Sequence, residues 1–504
     1  MISKSLNINE AYVRNVIGES FDIKYRPIRI AACNDAEGLI VYIASLVDTR
    51  VVDETILRPL MQCEGMSGKK SLTGPKGTVA AIMKQSVFTS SARESADWED
   101  ICDAITVGDT VLFIDQCASA LILTTRKYEG RAVDQPDAES EVKGPRDGFV
   151  ENIQTNAALI RRRIKDYGLR FDTIRLGERT KTVIAVVYIQ DLASEALVTE
   201  VKQRLSGINL DAILATESIQ ELIEDNPLSI FPKTLNTERP DKAAAALLEG
   251  RVLIMVDNTP FVLILPAIFW EFFESSGDYY DRVIIATVIR WIRCLAVFLS
   301  TSATSIYVLL TSFHQEMLPT NLALKIATAR STVPVPAVIE AFAMEIILEI
   351  MKEASLRMPK AIGPTVSIVG TLVIGQAAVA AGLISPLMVI TIAVAAISGF
   401  AIPSYSMSNS IRVIRFPILF LSASFGLYGY LAGVAAVVMY LMSLRSYGTP
   451  YLAPVIPYDG RAMKDLVVRA PWGEMTSRPG FVNAQDPIRV GKRRAYPVRN
   501  KNKS

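Results

Sequence analysis

The chain has 504 residues, half of them hydrophobic and 21% charged, with a formal net charge of +2. That length exceeds one ordinary domain and suits two or three, and so small a net charge gives no basis for nucleic acid as a partner. Charge and apolar runs lie apart: Asp, Glu, Lys and Arg crowd the residues before about 280, and long apolar stretches fill 283–442.

Residues 1–10 have no apolar core, which predicts no cleavable signal peptide and an N-terminal half that stays in the cytoplasm. Residues 1–127 read as a first α/β subdomain. Its β-prone runs 28–32 and 39–44 flank a turn at 34–38, and Val52, Ile56 and Leu60 at helical spacing predict a helix over 51–62. A hairpin over 111–123 bends at Asp115-Gln116. The run Gly65-Met66-Ser67-Gly68-Lys69-Lys70 only loosely resembles a phosphate loop, because Cys63 stands where the first glycine belongs and a helix precedes it.

Polar, Pro- and Gly-punctuated residues 128–148 predict a linker. Residues 149–270 then repeat the first subdomain. Val41-Tyr42-Ile43 recurs as Val187-Tyr188-Ile189, and Leu46, Val52, Glu54 and Arg58 recur as Leu192, Val198, Glu200 and Arg204. Gly108, Asp115 and Leu121-Ile122-Leu123 recur as Gly250, Asp257 and Leu263-Ile264-Leu265. Ordered matches of this kind indicate a duplicated α/β unit. The second copy has strands near 173–176 and 183–189, a helix near 194–205, and a hairpin over 252–265 turning at 257–260. Arg161-Arg162-Arg163 reads as a solvated or linker-contacting face, with anionic headgroups as the alternative.

Residues 283–445 predict an all-α polytopic membrane domain. Spans of about 20 apolar residues fit 288–310, 362–382, 386–405 and 417–442. Arg290, Trp291 and Arg293 open the first, as suits a cytoplasmic interface. Gly370, Gly375, Ala378 and Gly382, and the GxxxG pair Gly429 and Gly433, supply small positions where helices pack closely.

Residues 334–352 are ambiguous: apolar, yet carrying Glu340, Glu345 and Glu349, with Glu353 beyond. Glu345, Glu349 and Glu353 share one helical stripe. Three readings stand: an interfacial amphipathic helix with its acids in water, a span or re-entrant helix facing an aqueous path, or a helix in a soluble loop. Counting it as a span puts Lys352, Arg357, Lys360, Arg412 and Arg415 on the cytoplasmic side. It then leaves the basic tail of 446–504, with Lys492-Arg493-Arg494, outside; with four spans the tail returns to the cytoplasm but the loop charges do not, and cytoplasmic ends are the expectation.

Cys33, Cys63, Cys102, Cys117 and Cys294 include no CxxC pair and suit buried roles in a reducing compartment. The lone His314 excludes a His-pair zinc site, and no nucleophile–base motif is present. The expectation is no enzyme, no cofactor and no metal.

Several segments resemble the A subunit of GerA-type spore germinant receptors, over roughly residues 10–480. They are Gly148-Phe149-Val150-Glu151-Asn152-Ile153-Gln154-Thr155-Asn156, Thr237-Glu238-Arg239-Pro240, Leu248-Glu249-Gly250-Arg251, Pro334-Val335-Pro336, Ile362-Gly363-Pro364-Thr365-Val366, Gly375-Gln376-Ala377-Ala378 and Ser446-Tyr447-Gly448-Thr449-Pro450. Where the family often has Asp-Gly-Thr-Pro, this chain has Asp257-Asn258-Thr259-Pro260, and Asn tolerates the same turn.

The resemblance implies a homo-oligomeric, multi-pass protein of the inner spore membrane. It implies partnership with a transporter-like B subunit that binds the nutrient and a C subunit that is a lipoprotein, and release of monovalent cations once nutrient is sensed. On that implication Glu340, Glu345, Glu349, Pro334, Pro336 and Gln376 are pore or gating candidates. A non-conducting scaffold and a sporulation-operon paralogue that amplifies germination are the alternatives.

Overall fold

The computed structural model describes residues 2–31, 36–61, 91–127, 135–136, 138–357, 375–460 and 462–489. The chain divides into two compact units. One comprises Met1–Pro227, Thr234–Pro266 and Gly473–Ser504; the other comprises Leu228–Lys233 and Ala267–Trp472.

The first unit holds two α/β subdomains, each with an antiparallel five-stranded sheet. Sheet one has strands β1 (Ile23–Ile30), β2 (Ala36–Ile43), β3 (Ala92–Ser95), β4 (Thr110–Ile114) and β5 (Ala120–Leu123), in the order β1-β2-β4-β5-β3. Sheet two has β6 (Leu169–Leu176), β7 (Thr182–Ile189), β8 (Leu235–Thr237), β9 (Val252–Val256) and β10 (Val262–Leu265), in the matching order β6-β7-β9-β10-β8. The duplication read from the sequence is thus a duplication of topology. Pro27 is tolerated because β1 is an edge strand.

The shared order rests on shared polar contacts. Helix α1 (Leu6–Ile17) opens copy one, and α4 (Ile153–Arg163) opens copy two after α2 (49–61, π-helical over Val52–Leu57) and α3 (Trp98–Val107). Asp115 in the first hairpin turn accepts the Leu6 N–H at 3.2 Å, and Asp257 in the second accepts the Ile153 N–H at 3.2 Å. Each carboxylate so satisfies an orphan donor at a helix start. The residues that follow, Gln116 and Asn258, both turn through positive φ, 65° and 70°. Buried Asn9 bonds both backbone groups of Ser3, and buried Asn156 bonds both of Val150. Helices α1 and α3 and the short edge strands β3 and β8 are not among the expected elements.

Copy two adds α5 (Glu195–Ser206), α6 (Thr216–Ile223) and α7 (Pro240–Leu248). A segment from far along the chain lies against it: the Gln485 N–H donates to the Leu192 carbonyl at 2.9 Å. In copy one the Lys127 N–H donates at 2.9 Å to the carbonyl of Leu46, the counterpart of Leu192. Residues 473–489, expected as tail, therefore belong to the first unit; Lys492-Arg493-Arg494 and the rest of the basic end lie outside the described residues.

The second unit is helical. Helix α8 (Val283–Ser312) is followed by α9 (Thr320–Arg330), α10 (Ala337–Arg357), α11 (Pro386–Phe400) and α12 (Tyr405–Ser443). Thirty residues make α8 about 45 Å long, more than the roughly 30 Å of a bilayer's hydrocarbon core. Its Thr287, Thr301 and Thr311 hydroxyls bond back to the carbonyls four residues earlier, each at 2.8 Å, so they add no unmet polar group to an apolar helix. Of the described helices, α8 and α12 are long and apolar enough to cross a membrane, and α11 is a shorter apolar helix. Most of the expected span over 362–382, including Gly370, lies outside the described residues.

Helix α12 differs from the single helix expected over 417–442. Gly426 has φ 60° and ψ −135°, a conformation foreign to helices and open mainly to glycine. The chain reverses there. A Cβ on Gly433 would lie 3.6 Å from the Ile418 Cα and 3.3 Å from Leu421 Cδ1. In a straight helix residues 418 and 433 would stand about 22 Å apart. Helix α12 is a hairpin with limbs over 405–425 and 427–443. Its GxxxG pair packs against its own first limb. Gly382 has φ +67° and serves a turn, with the Thr332 carbonyl 3.3 Å from where a Cβ would stand.

Candidate functional site

The acidic stripe of α10 meets three different neighbours. Glu345 is 1% exposed and accepts from Arg415 Nη1, on the first limb of α12, at 2.5 Å. Its other oxygen accepts from the Thr304 hydroxyl of α8 at 2.8 Å. One turn further, Glu349 takes Arg412 through two nitrogens at 2.5 and 3.2 Å, and Asn409 accepts from Arg412 at 3.0 Å. Glu353 instead pairs with Arg357 on its own helix at the surface.

Glu340, five residues before Glu345, is also buried. It accepts the N–H of Ser385 at 2.5 Å, and Ser385 caps α11 by accepting from the Met388 N–H at 3.3 Å. The carboxylate therefore sits where the dipole of α11 favours negative charge. Tyr307 of α8 completes the group, its hydroxyl 3.3 Å from Ser385 Oγ.

Glu340, Glu345 and Glu349 so hold α10 to α11, α8 and α12. The other sequence candidates do not join them. Pro334 and Pro336 are exposed in the approach to α10, where the Pro336 carbonyl accepts the Glu340 N–H at 3.1 Å, and Gln376 is exposed. Gly375 is buried, with Val389 Cγ1 3.6 Å from where a Cβ would stand. The partners Arg412 and Arg415 carry no motif. Their only sequence signal is two arginines one turn apart in an apolar run.

A second charged group lies at the start of α8. Arg290 is buried and bonds Asp278 Oδ2 at 3.3 Å and Asp465 Oδ1 at 3.0 Å, and Arg293 reaches the same Asp278 at 2.6 Å. Burial pushes the Glu274 carboxyl well above the usual range, against the pull of Arg290. Arg290, expected at an interface, ties the start of α8 to the segment around Asp465. Trp291 beside it is exposed.

In the first unit Arg161 corrects the solvated-face reading. It is buried and holds Asp22 of copy one through two bonds, 2.6 and 2.9 Å, while stacking over Phe171 at 4.7 Å. Arg163 pairs with Asp147 and Arg162 donates to the Lys127 carbonyl, both in or beside the linker. The two subdomains are thus joined through a desolvated ion pair. Beside it opens a cleft of about 620 Å³ lined by Asp48, Arg50 and Lys127 of copy one and Asn152, Thr155 and Arg162 of copy two. Arg161→Ala leaves Asp22 buried and uncompensated, so the first unit is expected to lose about 3–5 kcal/mol. Thermal unfolding followed by tryptophan fluorescence checks it; an unchanged midpoint would remove the pair from the fold's supports.

Burial pushes the Cys102 thiol up to about 11, which keeps it protonated and inert at neutral pH. Cys33, Cys63 and the glycine-containing run 65–70 lie outside the described residues.

Comparison with known proteins bears on all of this. Residues 11–481 match a family described as "Bacillus/Clostridium GerA spore germination protein". "Spore germination protein KA" of Bacillus subtilis is 42% identical over 98% of this chain and 89% of its own length. "Uncharacterized membrane protein YfkQ" of the same organism is 40% identical over 88% of this chain and 85% of its own length. Among solved structures, the N-terminal domain of the A subunit of the Bacillus megaterium spore germinant receptor GerK3 is 31% identical. It covers 53% of this chain and 97% of that one, with a TM-score of 0.41.

Proposed function

We propose, from the premise that this chain belongs to the GerA family of spore germination proteins, that it is the A subunit of a germinant receptor, set in the inner spore membrane by its helical unit. It acts with a transporter-like B subunit and a lipoprotein C subunit, and couples nutrient sensing to release of monovalent cations as a homo-oligomeric channel. The family match over residues 11–481 carries this reading. The long apolar helix α8 and the apolar hairpin α12 support it.

The place of the three carboxylates favours gating over lining a pore. Glu345 and Glu349 are each held by an arginine, so neither offers a free carboxylate to a passing ion in this state. Opening a path along α10 would exchange these pairs for water. A non-conducting scaffold also fits carboxylates spent on packing. Cation flux through liposomes holding the purified chain separates the two: flux supports the channel, and its absence with B and C subunits and nutrient present favours the scaffold. Gene neighbours of B and C type separate a receptor subunit from an operon paralogue.

The hairpin of α12 bears on sidedness. The Ser410 hydroxyl, near the start of its first limb, donates to the Ile230 carbonyl, and the Tyr440 hydroxyl, near the end of its second, donates to Ser229. Both ends of the hairpin therefore meet the segment 228–233, which is continuous with the first unit. This reading puts residues 445–489 on the cytoplasmic side with the N-terminal half. Single cysteines at exposed Val142 and Tyr458, in a chain whose own cysteines are replaced, are expected to label together only after the membrane is permeabilised. Labelling of position 458 alone in sealed cells would overturn the assignment.

A further inference from the structure

Arg415 is 2% exposed, and only one edge of its guanidinium is used. Nη1 donates to Glu345, which fixes the plane of the group. Nε and Nη2 are buried and have no acceptor among the described residues. These two nitrogens form the side-on fork of a guanidinium, two parallel N–H donors set to grip one anionic partner. Leaving such donors desolvated and unmet is costly.

The charges around the fork do not balance. Arg415 and Arg412 face Glu345 and Glu349. Lys352, one turn from Glu349 and over the Phe400 ring at 5.2 Å, lies within electrostatic range of all four. Three cations therefore stand against two carboxylates. Both Glu345 oxygens are engaged by Thr304 and Arg415, and both Glu349 oxygens by Arg412. Glu353 is neutralised by Arg357. Residues 358–374, which follow α10, contain no Asp or Glu and add Lys360. No carboxylate in this stretch of chain is left to answer the fork, and a buried surplus charge is expensive in a low-dielectric interior.

We infer that the Nε and Nη2 edge of Arg415 binds a small inorganic anion of the halide class, held between α10 and the first limb of α12, which neutralises the surplus charge of the Glu345, Glu349, Lys352, Arg412 and Arg415 group. Depth decides the size. An edge on a side chain this buried leaves no opening for the body of a lipid or peptide behind an anionic group, whereas a monatomic anion needs only the two donors and the nearby positive charge. The inference rests on the helical unit alone and holds for a channel or a scaffold.

The test uses the full-length chain in detergent, with its thermal midpoint measured as chloride replaces isethionate at constant ionic strength. A saturable rise in chloride, and bound chloride-36 near one per chain on equilibrium dialysis, are expected. Arg415→Lys keeps the charge and loses the fork, and is expected to weaken chloride binding about tenfold or more. Should that variant fail to fold, Lys352→Gln decides, since removing the surplus charge is expected to weaken the response from a half-buried and tolerant position. Equal midpoints in chloride and isethionate for the parent chain would mean that the fork holds water only, and would overturn the proposal. An undiminished response in Arg415→Lys, or in Lys352→Gln, would overturn it as well.

Discussion

Glu345→Ala is expected to destabilise the helical unit by about 3–5 kcal/mol, because it removes the carboxylate paired with the buried Arg415 guanidinium. The loss exceeds that of an ordinary surface pair, which is worth about 0–1 kcal/mol. Depth makes the difference: the side chains of Glu345 and Arg415 are 1% and 2% exposed. Replacing both with methionine is expected to recover most of the loss, since an apolar pair of similar volume needs no counter-charge. Thermal midpoints of the purified variants in detergent, with the amount that accumulates in membranes, test both outcomes. If the single variant matches the parent, the pair supports nothing. If the double variant is no better than the single, the penalty comes from lost shape and not from stranded charge. Glu349→Ala should cost less, because Glu349 and Arg412 remain partly exposed.

Gly429→Ala is expected to be the other severe change. A Cβ on Gly429 would fall within the carbonyl of Leu421 on the opposing limb, a backbone group that moves only if the limbs part. The penalty should exceed the roughly 1–3 kcal/mol of ordinary overpacking. Gly433→Ala meets instead the end of the Leu421 side chain at 3.3 Å, which can rotate away. The pair of variants is informative together: Gly429→Ala should fail to accumulate where Gly433→Ala accumulates well, by immunoblot of membrane fractions. Equal behaviour would mean that the limbs are not in contact at this point. Gly426 is sensitive for another reason, since a side chain at φ 60°, ψ −135° is strained whatever space surrounds it.

How much of this could be read in advance depends on the range over which each feature is written. The duplicated sheets were legible because β-strand patterning is local and because Asp115 and Asp257 recur with their flanking strands. Their purpose, capping α1 and α4, was not, since each reaches back about a hundred residues, from Asp115 to Leu6 and from Asp257 to Ile153. The acidic stripe was legible as a stripe, from three glutamates at helical spacing. What it faces was not. Arg415 lies 70 residues from Glu345, and nothing in the composition of either helix pairs them. The hairpin was hidden for a simpler reason: apolar residues on both sides of Gly426 read as one long greasy run, and a glycine in a membrane helix is too common to announce a reversal.

The path of the chain has a practical consequence for anyone cutting it. Residues 228–233 leave the first unit, lodge in the second and return, and Phe231 within them packs against Phe269, Tyr440 and Tyr451 at ring-centre distances of 6.1, 6.1 and 6.5 Å. An expression boundary placed near residue 270 would sever Phe231 from Tyr440 and Tyr451 and strip the 473–489 strap from Leu192. The fragment would carry a bared aromatic hook on one edge and an uncovered carbonyl on another, and both invite self-association. Replacing Phe231 with a polar residue and grafting the strap onto the fragment's end would remove both liabilities.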